Sequence, residues 1–345
     1  MRRTIALDAT YSVGEHLTGV GVYSRELMRA LSAAHPEARF LHLYRPHRFL
    51  KGLSGPKPAN VRRGLLHPPL LGGRGDLFHG LNQRLPEGRL PAAVTTFHDL
   101  FALTGDYSTP EFRKRFAEQA KDAARRSDFI ITVSAFTAGQ VAELLNFDRR
   151  RIHVVPHGVR FLERIDNTPR ENFVLHVGAI QKRKNISRLV EAFERAAPSD
   201  WRLVLAGSAG FGAEEIFSRI ERSPARGRIE VTGWVADARL ADLYSSAAVL
   251  AFPSLDEGFG IPALEAMARG LPVISSNRSA LAEVCGDAAL LVDPEDTEAM
   301  TAALGRLIED EALQESLRRA GIQRARQFTW EQAAHLTWAV YEEAL

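Results

Sequence analysis

The 345-residue chain contains one cysteine, Cys285. That excludes an internal disulfide and a multi-cysteine metal site, and it agrees with a reducing compartment. No stretch approaches the ~18 consecutive apolar residues of a membrane-spanning helix, and the apolar run before Asp8 is too short for the core of a signal peptide. The chain is therefore expected in the cytoplasm. No Asp-X-Asp pair occurs, and no histidines are spaced as ligands on one helix, so neither a metal nor another cofactor is expected. A Walker loop is absent, as is a Gly-X-Gly-X-X-Gly turn between a strand and a helix. No nucleic-acid partner is expected either.

What is present is an ordinary soluble composition on a chain longer than the ~250–300 residues at which single cores stop growing, so two domains are expected. The net charge of +2 conceals a division: 25 Lys+Arg against 15 Asp+Glu up to residue 165, and 19 against 27 beyond. The halves carry +10 and −8. A basic first half suits an anionic partner such as a membrane face or a phosphorylated acceptor, or it merely solubilises that half. The densest local cluster is Arg113-Lys-Arg115 with Lys121, Arg125 and Arg126.

Short apolar runs alternate with helical periods throughout, the pattern of a mostly parallel sheet. First-half strands are read at Thr4–Ala9, Arg39–Tyr44, Leu77–Gly80, Ala92–Phe97, Phe129–Val133 and Ile152–Pro156, with helices at Val22–Ala34, Pro110–Arg126 and Ala135–Leu145. Residues 46–75, rich in proline and glycine, read mainly as a lid-like loop. Glu163-Arg-Ile-Asp-Asn-Thr-Pro-Arg170 reads as the linker between a domain over 1–165 and another over 171–330. Second-half strands follow at Phe173–Val177, Arg202–Ala206, Ile229–Thr232, Ala248–Phe252, Pro272–Ser275 and Ala289–Val292. From Glu295 only helical pattern remains, ending in Glu331–Leu345.

The most informative segment is Glu257-Gly-Phe-Gly-Ile-Pro-Ala-Leu-Glu265. It links a buried strand to an apolar helix with Pro262 in its first turn, where a missing N–H costs nothing. Gly258 and Gly260 admit a close backbone, and a helix N-terminus at a strand's carboxyl end favours phosphate. Glu265 stands in an otherwise apolar helix, where an unpaired carboxylate costs several kcal/mol, roughly. Either a ribose diol satisfies its oxygens, or an arginine pairs with it while Glu257 only complements the helix dipole. Val177-Gly-Ala-Ile-Gln-Lys-Arg-Lys-Asn185 brings Arg183 and Lys184 to another strand end before a helix, suited to a diphosphate or simply to solvent. In the first half, Thr18-Gly-Val-Gly-Val-Tyr23 opens a helix after strand one, with Gly19, Val20 and Gly21 as a small-residue turn. His98 and Asp99 end one strand, and His79 to Asn82 ends another.

Together these segments resemble the retaining GT-B glycosyltransferases of group 1, often called family 4. Glu257 and Glu265, with seven residues between them, match its two-glutamate motif, and Gly178 with Arg183-Lys184-Asn185 matches its phosphate-binding segment. Gly19-Val-Gly-Val-Tyr-Ser-Arg-Glu-Leu27, Phe97-His-Asp99, Val133-Ser-Ala-Phe-Thr137 and Val154-Val-Pro-His-Gly-Val159 resemble its first-domain landmarks. The resemblance implies an α/β fold of two Rossmann-like domains facing across a cleft, the last helix crossing back to the first. It implies a catalytic set of Glu257, His98, Arg183 and Lys184, with Glu257 and His98 at the transferred sugar and the two cations on the diphosphate. Gly178 and the Gly258, Phe259, Gly260 and Ile261 turn would meet sugar and phosphate, Thr232, Gly233 and Trp234 would frame the base, and Glu265 would hold the ribose. Gly19, Val20, Gly21, Asn82 and Asp99 would form the acceptor or phosphate loop. Two departures stand out: Ala179 where many relatives carry the phosphate-binding arginine, and His157 where asparagine is common.

The activity so implied is metal-independent transfer of a hexose from a nucleoside diphosphate sugar to a hydroxyl of a saccharide or lipid-linked acceptor in surface polysaccharide synthesis. Front-face attack with anomeric retention is expected, with GDP-mannose as the first donor because the turn and the Arg-Lys-Asn segment look most like mannosyltransferase branches. The basic half would permit peripheral contact with the inner face of the membrane. Two other readings stay open: a sugar-nucleotide epimerase of related fold, and a non-catalytic nucleotide-sugar binder.

Overall fold

The structure, a computed structural model, describes residues 3–67, 75–160 and 169–345. The chain forms two compact units. The first comprises Met1–Thr104, Pro110–Gly158 and Phe328–Leu345, and the second Gly105–Thr109 and Val159–Gln327.

The first unit is built on seven strands: β1 (Thr4–Asp8), β2 (Arg39–Tyr44), β3 (Val61–Leu65), β4 (Leu77–Gly80), β5 (Ala93–Phe97), β6 (Phe129–Thr132) and β7 (Ile152–Val154). They pair in the order β3-β2-β1-β4-β5-β6-β7, all parallel. Strands of a parallel sheet are covered on both faces, which is why β4 and β5 are buried at every residue. The helix Gly19–Ala34 turns Tyr23, Leu27, Met28 and Leu31 into the core at helical spacing. The chain's last helix, Trp330–Ala344, joins the same core through Ala333, Ala334, Val340 and Tyr341.

The described residues of 46–75 are not mainly loop. Pro46–Leu53 is a helix with proline in its first turn, and β3 pairs with β2 from Phe40↔Val61 to Tyr44↔Leu65. Clustered prolines and glycines hid the helix. The strand escaped notice because it is an edge strand reading Val-Arg-Arg-Gly-Leu, with no alternation of apolar residues, and it exists through its pairing with β2. The part of that loop at 68–74 lies outside the described residues, as does most of the proposed linker, at 161–168.

In the second unit, β8 (Glu171–Val177), β9 (Arg202–Ala206), β10 (Ile229–Gly233), β11 (Ala247–Phe252), β12 (Val273–Ser276) and β13 (Leu290–Val292) pair parallel in the order β10-β9-β8-β11-β12-β13. This is the doubly wound order in which the direction of winding reverses between the first strand, β8, and the fourth, β11. Ligands of such sheets sit outside the carboxyl ends of the strands at that reversal. The helix Ile186–Ala196 packs Ile186, Leu189, Val190 and Phe193 onto the core. Asp296, Asp310 and Thr329 cap the three C-terminal helices by accepting from Ala299, Leu313 and Gln332 amides.

Candidate functional site

The segments after β8 and β11 meet. Beyond β8, Gly178 adopts φ +143°, and a Cβ there would press against the Lys184 side chain at 3.3 Å. Gly207, which follows β9, passes so close that a Cβ would lie 1.9 Å from the Gly178 carbonyl oxygen. The turn Lys182–Lys184 ends at Asn185, a left-handed residue whose side-chain Nδ2 donates to the Pro253 and Pro294 carbonyls at 3.1 and 2.6 Å. The Leu255 amide donates to Arg183 O at 2.8 Å. Arg183 and Lys184 are thereby fixed beside the end of β11.

Between them lies Glu257, 8 % exposed. Lys184 Nζ donates to Glu257 Oε1, and Arg183 Nη1 stands 3.1 Å from Oε2 while also donating to the Asp256 carbonyl. The Lys184 ammonium also sits 4.7 Å from the centre of the Phe252 ring. Burial pushes the Glu257 carboxyl up, but the charges of Arg183 and Lys184 more than reverse this and hold it at about 2. Its backbone is held too: Ser279 Oγ accepts from the Glu257 amide at 3.1 Å, and Ala280 N donates to its carbonyl at 3.2 Å. Ser279 does this from φ +56°, a costly conformation for a residue other than glycine. Gly260 turns the chain at φ +109° into the helix Ile261–Ala268, where a Cβ would lie 2.5 Å from Leu281 Cδ2. Gly258 and Phe259 are buried in the same turn, with half-buried Ile261 at the helix start.

Glu265 is 2 % exposed, and its oxygens are engaged. Arg160 Nε donates to Oε1 at 2.6 Å, and Tyr244 OH donates to Oε2 at 3.1 Å. Burial pushes this carboxyl above the ordinary value, against the pull of Arg160 and Tyr244. The arginine pairing weighed from sequence is therefore present. Arg160 also donates to Asp237 Oδ1 at 3.0 Å, which ties Glu265 to the start of the helix Asp237–Ser246. Thr232, Gly233 and Trp234 lie just upstream at the carboxyl end of edge strand β10, with Trp234 40 % exposed.

In the first unit, the helix starting at Gly19 carries Val20 and Gly21, and a Cβ on Gly21 would lie 2.8 Å from Tyr11 O. Tyr23 OH bonds Thr96 Oγ1 at 2.8 Å, and its ring meets His98 edge-on at 4.6 Å. His98 Nε2 donates to Leu81 O at 2.9 Å, and its ring stacks with His157 at 5.4 Å. Burial, partly offset by that hydrogen bond, lowers His98 to about 4, so the ring is neutral at neutral pH. Asn82 Oδ1 accepts from Gln83 N at 2.9 Å, and Asp99 is half-buried after His98.

Sequence reasoning missed Arg160, Tyr244, Tyr23 and Ser279. For Arg160 only half a signal existed: a carboxylate in an apolar helix needs a cation, but nothing in the sequence points to position 160 as its source.

The model of the glycosyl transferases group 1 matches residues 161–324, and that of glycosyltransferase family 4 matches residues 17–161. O-antigen chain mannosyltransferase B of Escherichia coli is 32 % identical, over 97 % of this chain and 98 % of its own. The chain belongs to the group 1 glycosyltransferases. This glycosyltransferase also shares its fold with solved structures. Sucrose-phosphate synthase from Thermosynechococcus elongatus superposes with a TM-score of 0.79 at 21 % identity, covering 99 % of each chain. The Anabaena protein HepE, in complex with UDP and glucose, does so at 0.73 and 18 % over the whole of both chains. These likenesses make the glycosyltransferase an α/β protein of the GT-B fold.

Proposed function

We propose that this glycosyltransferase moves a hexose, mannose from GDP-mannose as the first candidate, from a nucleoside diphosphate sugar to a hydroxyl of a saccharide or lipid-linked acceptor, with anomeric retention and without a metal ion. The observation carrying the reading is the buried Glu257 carboxylate clamped between Arg183 and Lys184 at the ends of β8 and β11. A diphosphate arriving there would share both cations with Glu257 and leave its carboxylate facing the sugar. Arg183 and Lys184 would hold the negative charge that develops on the departing nucleoside diphosphate, a task worth roughly 10²–10³ in rate for one such donor. The leaving phosphate would take the acceptor's proton. Gly258, Phe259, Gly260 and Ile261 offer backbone to sugar and phosphate beside Gly178. Thr232 to Trp234 would frame the base and Glu265 would hold the ribose, a reading supported by Arg160, which ties Glu265 to Asp237, three residues beyond Trp234.

In the first unit His98, a neutral imidazole, would touch the sugar, with Gly19, Val20, Gly21, Asn82 and Asp99 on the acceptor or phosphate side. The choice of mannose is supported by the likeness to the Escherichia coli mannosyltransferase, and the nucleotide class by the UDP and glucose bound to HepE.

Product analysis tests the reading. NMR of the product from wild-type protein is expected to show a new glycosidic bond with the donor's anomeric configuration, unaffected by EDTA. Glu257→Gln is expected to lower the transfer rate by roughly 10²-fold or more. Conversion of the donor to an isomer without any acceptor would replace transfer by epimerisation, and loss of turnover in EDTA would refute the metal-free step.

A further inference from the structure

His176 is the one histidine of the second unit, and it stands one residue before the end of β8 with no exposed surface. The donor reading gives it no role. Its Nδ1 lies 3.0 Å from the Ala251 carbonyl oxygen. A carbonyl only accepts, so Nδ1 carries the proton and Nε2 is left as a lone pair. Burial outweighs the Ala251 bond and lowers the ring to about 4, which keeps it neutral at neutral pH. Nε2 is itself buried and has no hydrogen-bond partner among the described residues. Buried acceptors are nearly always paired, so this one calls for a reason. His79 of the first unit shows the contrast, because the Tyr341 and Thr96 hydroxyls occupy its two nitrogens at 2.6 and 2.8 Å.

The pairing of β8 with β11 brings one donor close. Phe252 ends β11 and stacks with the His176 ring at 5.9 Å and 22°, and the Lys184 ammonium lies 4.7 Å from the centre of the same Phe252 ring. The Cβ that Gly178 lacks would lie 3.6 Å from Lys184 Nζ and 3.8 Å from His176 Nε2. The ammonium and the lone pair thus border one space, which a side chain at position 178 would enter. An ammonium has three N–H donors. One meets Glu257 Oε1, and a diphosphate would call on another.

We propose that His176 is a positioning residue for Lys184: as a diphosphate draws the ammonium off the Glu257 carboxylate, the Nε2 lone pair accepts from it and keeps it on the leaving group while Glu257 faces the sugar. A cation with a fixed second acceptor is aimed before the charge develops, and such preorganisation is what stabilises a departing anion. The inference rests on the donor reading and deepens it.

Asparagine and glutamine separate the two ring nitrogens. Asparagine places an amide N–H where Nδ1 was and keeps the Ala251 bond, whereas glutamine places an oxygen where Nε2 was. His176→Asn is expected to lower kcat/KM for the donor about 10-fold, the loss of one hydrogen bond to a charged group, and His176→Gln less than about 3-fold. Melting temperature should run the opposite way, with asparagine keeping it and glutamine losing part of it. A histidine that only supports the fold would move rate and stability together. In a Lys184→Ala background, followed in long single-turnover incubations, His176→Asn should cost nothing further. Wild-type transfer by His176→Asn, equal impairment of both variants, or the same loss in the Lys184→Ala background would overturn the proposal while leaving the donor site standing. If Lys184→Ala itself left donor affinity and transfer unchanged, the donor reading would fall, and this inference with it.

Discussion

Glu257 and Glu265 are both buried carboxylates, yet their partners differ in kind. Glu257 has two cations, Arg183 and Lys184, from one turn far upstream, whereas Glu265 has one cation and a phenol. Removing the single cation leaves a buried charge unanswered, so Arg160→Ala is expected to destabilise the second unit by about 3 kcal/mol. Neutralising the carboxylate as well, in Arg160→Ala/Glu265→Gln, should restore at least half of that loss. Chemical denaturation of both variants checks this, and simple additivity of the two losses would show the pair to be uncoupled. The need for a partner was legible in the sequence, because an acid in Ala-Leu-Glu-Ala-Met-Ala must be answered. Its identity was not, since the partner lies 105 residues away.

At the scale of elements, Arg170 closes two helix ends at once. Its guanidinium donates to the Tyr244, Ser245 and Ala247 carbonyls and to those of Arg269 and Gly270, at 2.6–3.4 Å. These lie in the last turn of the helix Asp237–Ser246 and just beyond it, and just beyond the helix Ile261–Ala268, which carries Glu265. Terminal carbonyls left without donors are costly, so Arg170→Ala should lower stability by about 3 kcal/mol. Arg170→Lys should recover little, because an ammonium cannot span both ends as the planar fork does. A melting-temperature series checks this, and full rescue by lysine would contradict it. Elements buried on both faces were legible: β2 and β9 coincide with the apolar runs Arg39–Tyr44 and Arg202–Ala206. The edge strand β3 was not, because edge pairing leaves no apolar pattern in the strand itself.

Over the whole molecule, buried histidines are unevenly divided. Burial lowers His42 to about 4, His79 to about 3 and His98 to about 4, and it lowers His157 as well, all in the first unit; the second has His176, at about 4. A group whose folded pKa is depressed binds more protons when unfolded at intermediate pH, so stability is fully present above about 6.5 and is lost as pH falls toward 4. Each such histidine costs on the order of 1 kcal/mol between pH 7 and pH 5. Hydrogen exchange, corrected for intrinsic rates, is therefore expected to show the core strands of the first unit losing more protection than those of the second. Equal loss in both units would contradict it.

The two-unit plan was legible because strand order follows from alternating βα units, and the placement of Glu257, Arg183 and Lys184 was legible because each lies in a segment that leaves a strand. That they form one buried cluster required the winding reversal between β8 and β11. Titration calorimetry of GDP-, UDP-, dTDP- and ADP-sugars into wild-type protein and Lys184→Ala tests that cluster most directly. One sugar nucleotide should bind the wild type, with affinity falling at least about 10-fold in the variant, the loss of one charge-assisted contact to phosphate. Equal affinity of both proteins for every donor would contradict the account.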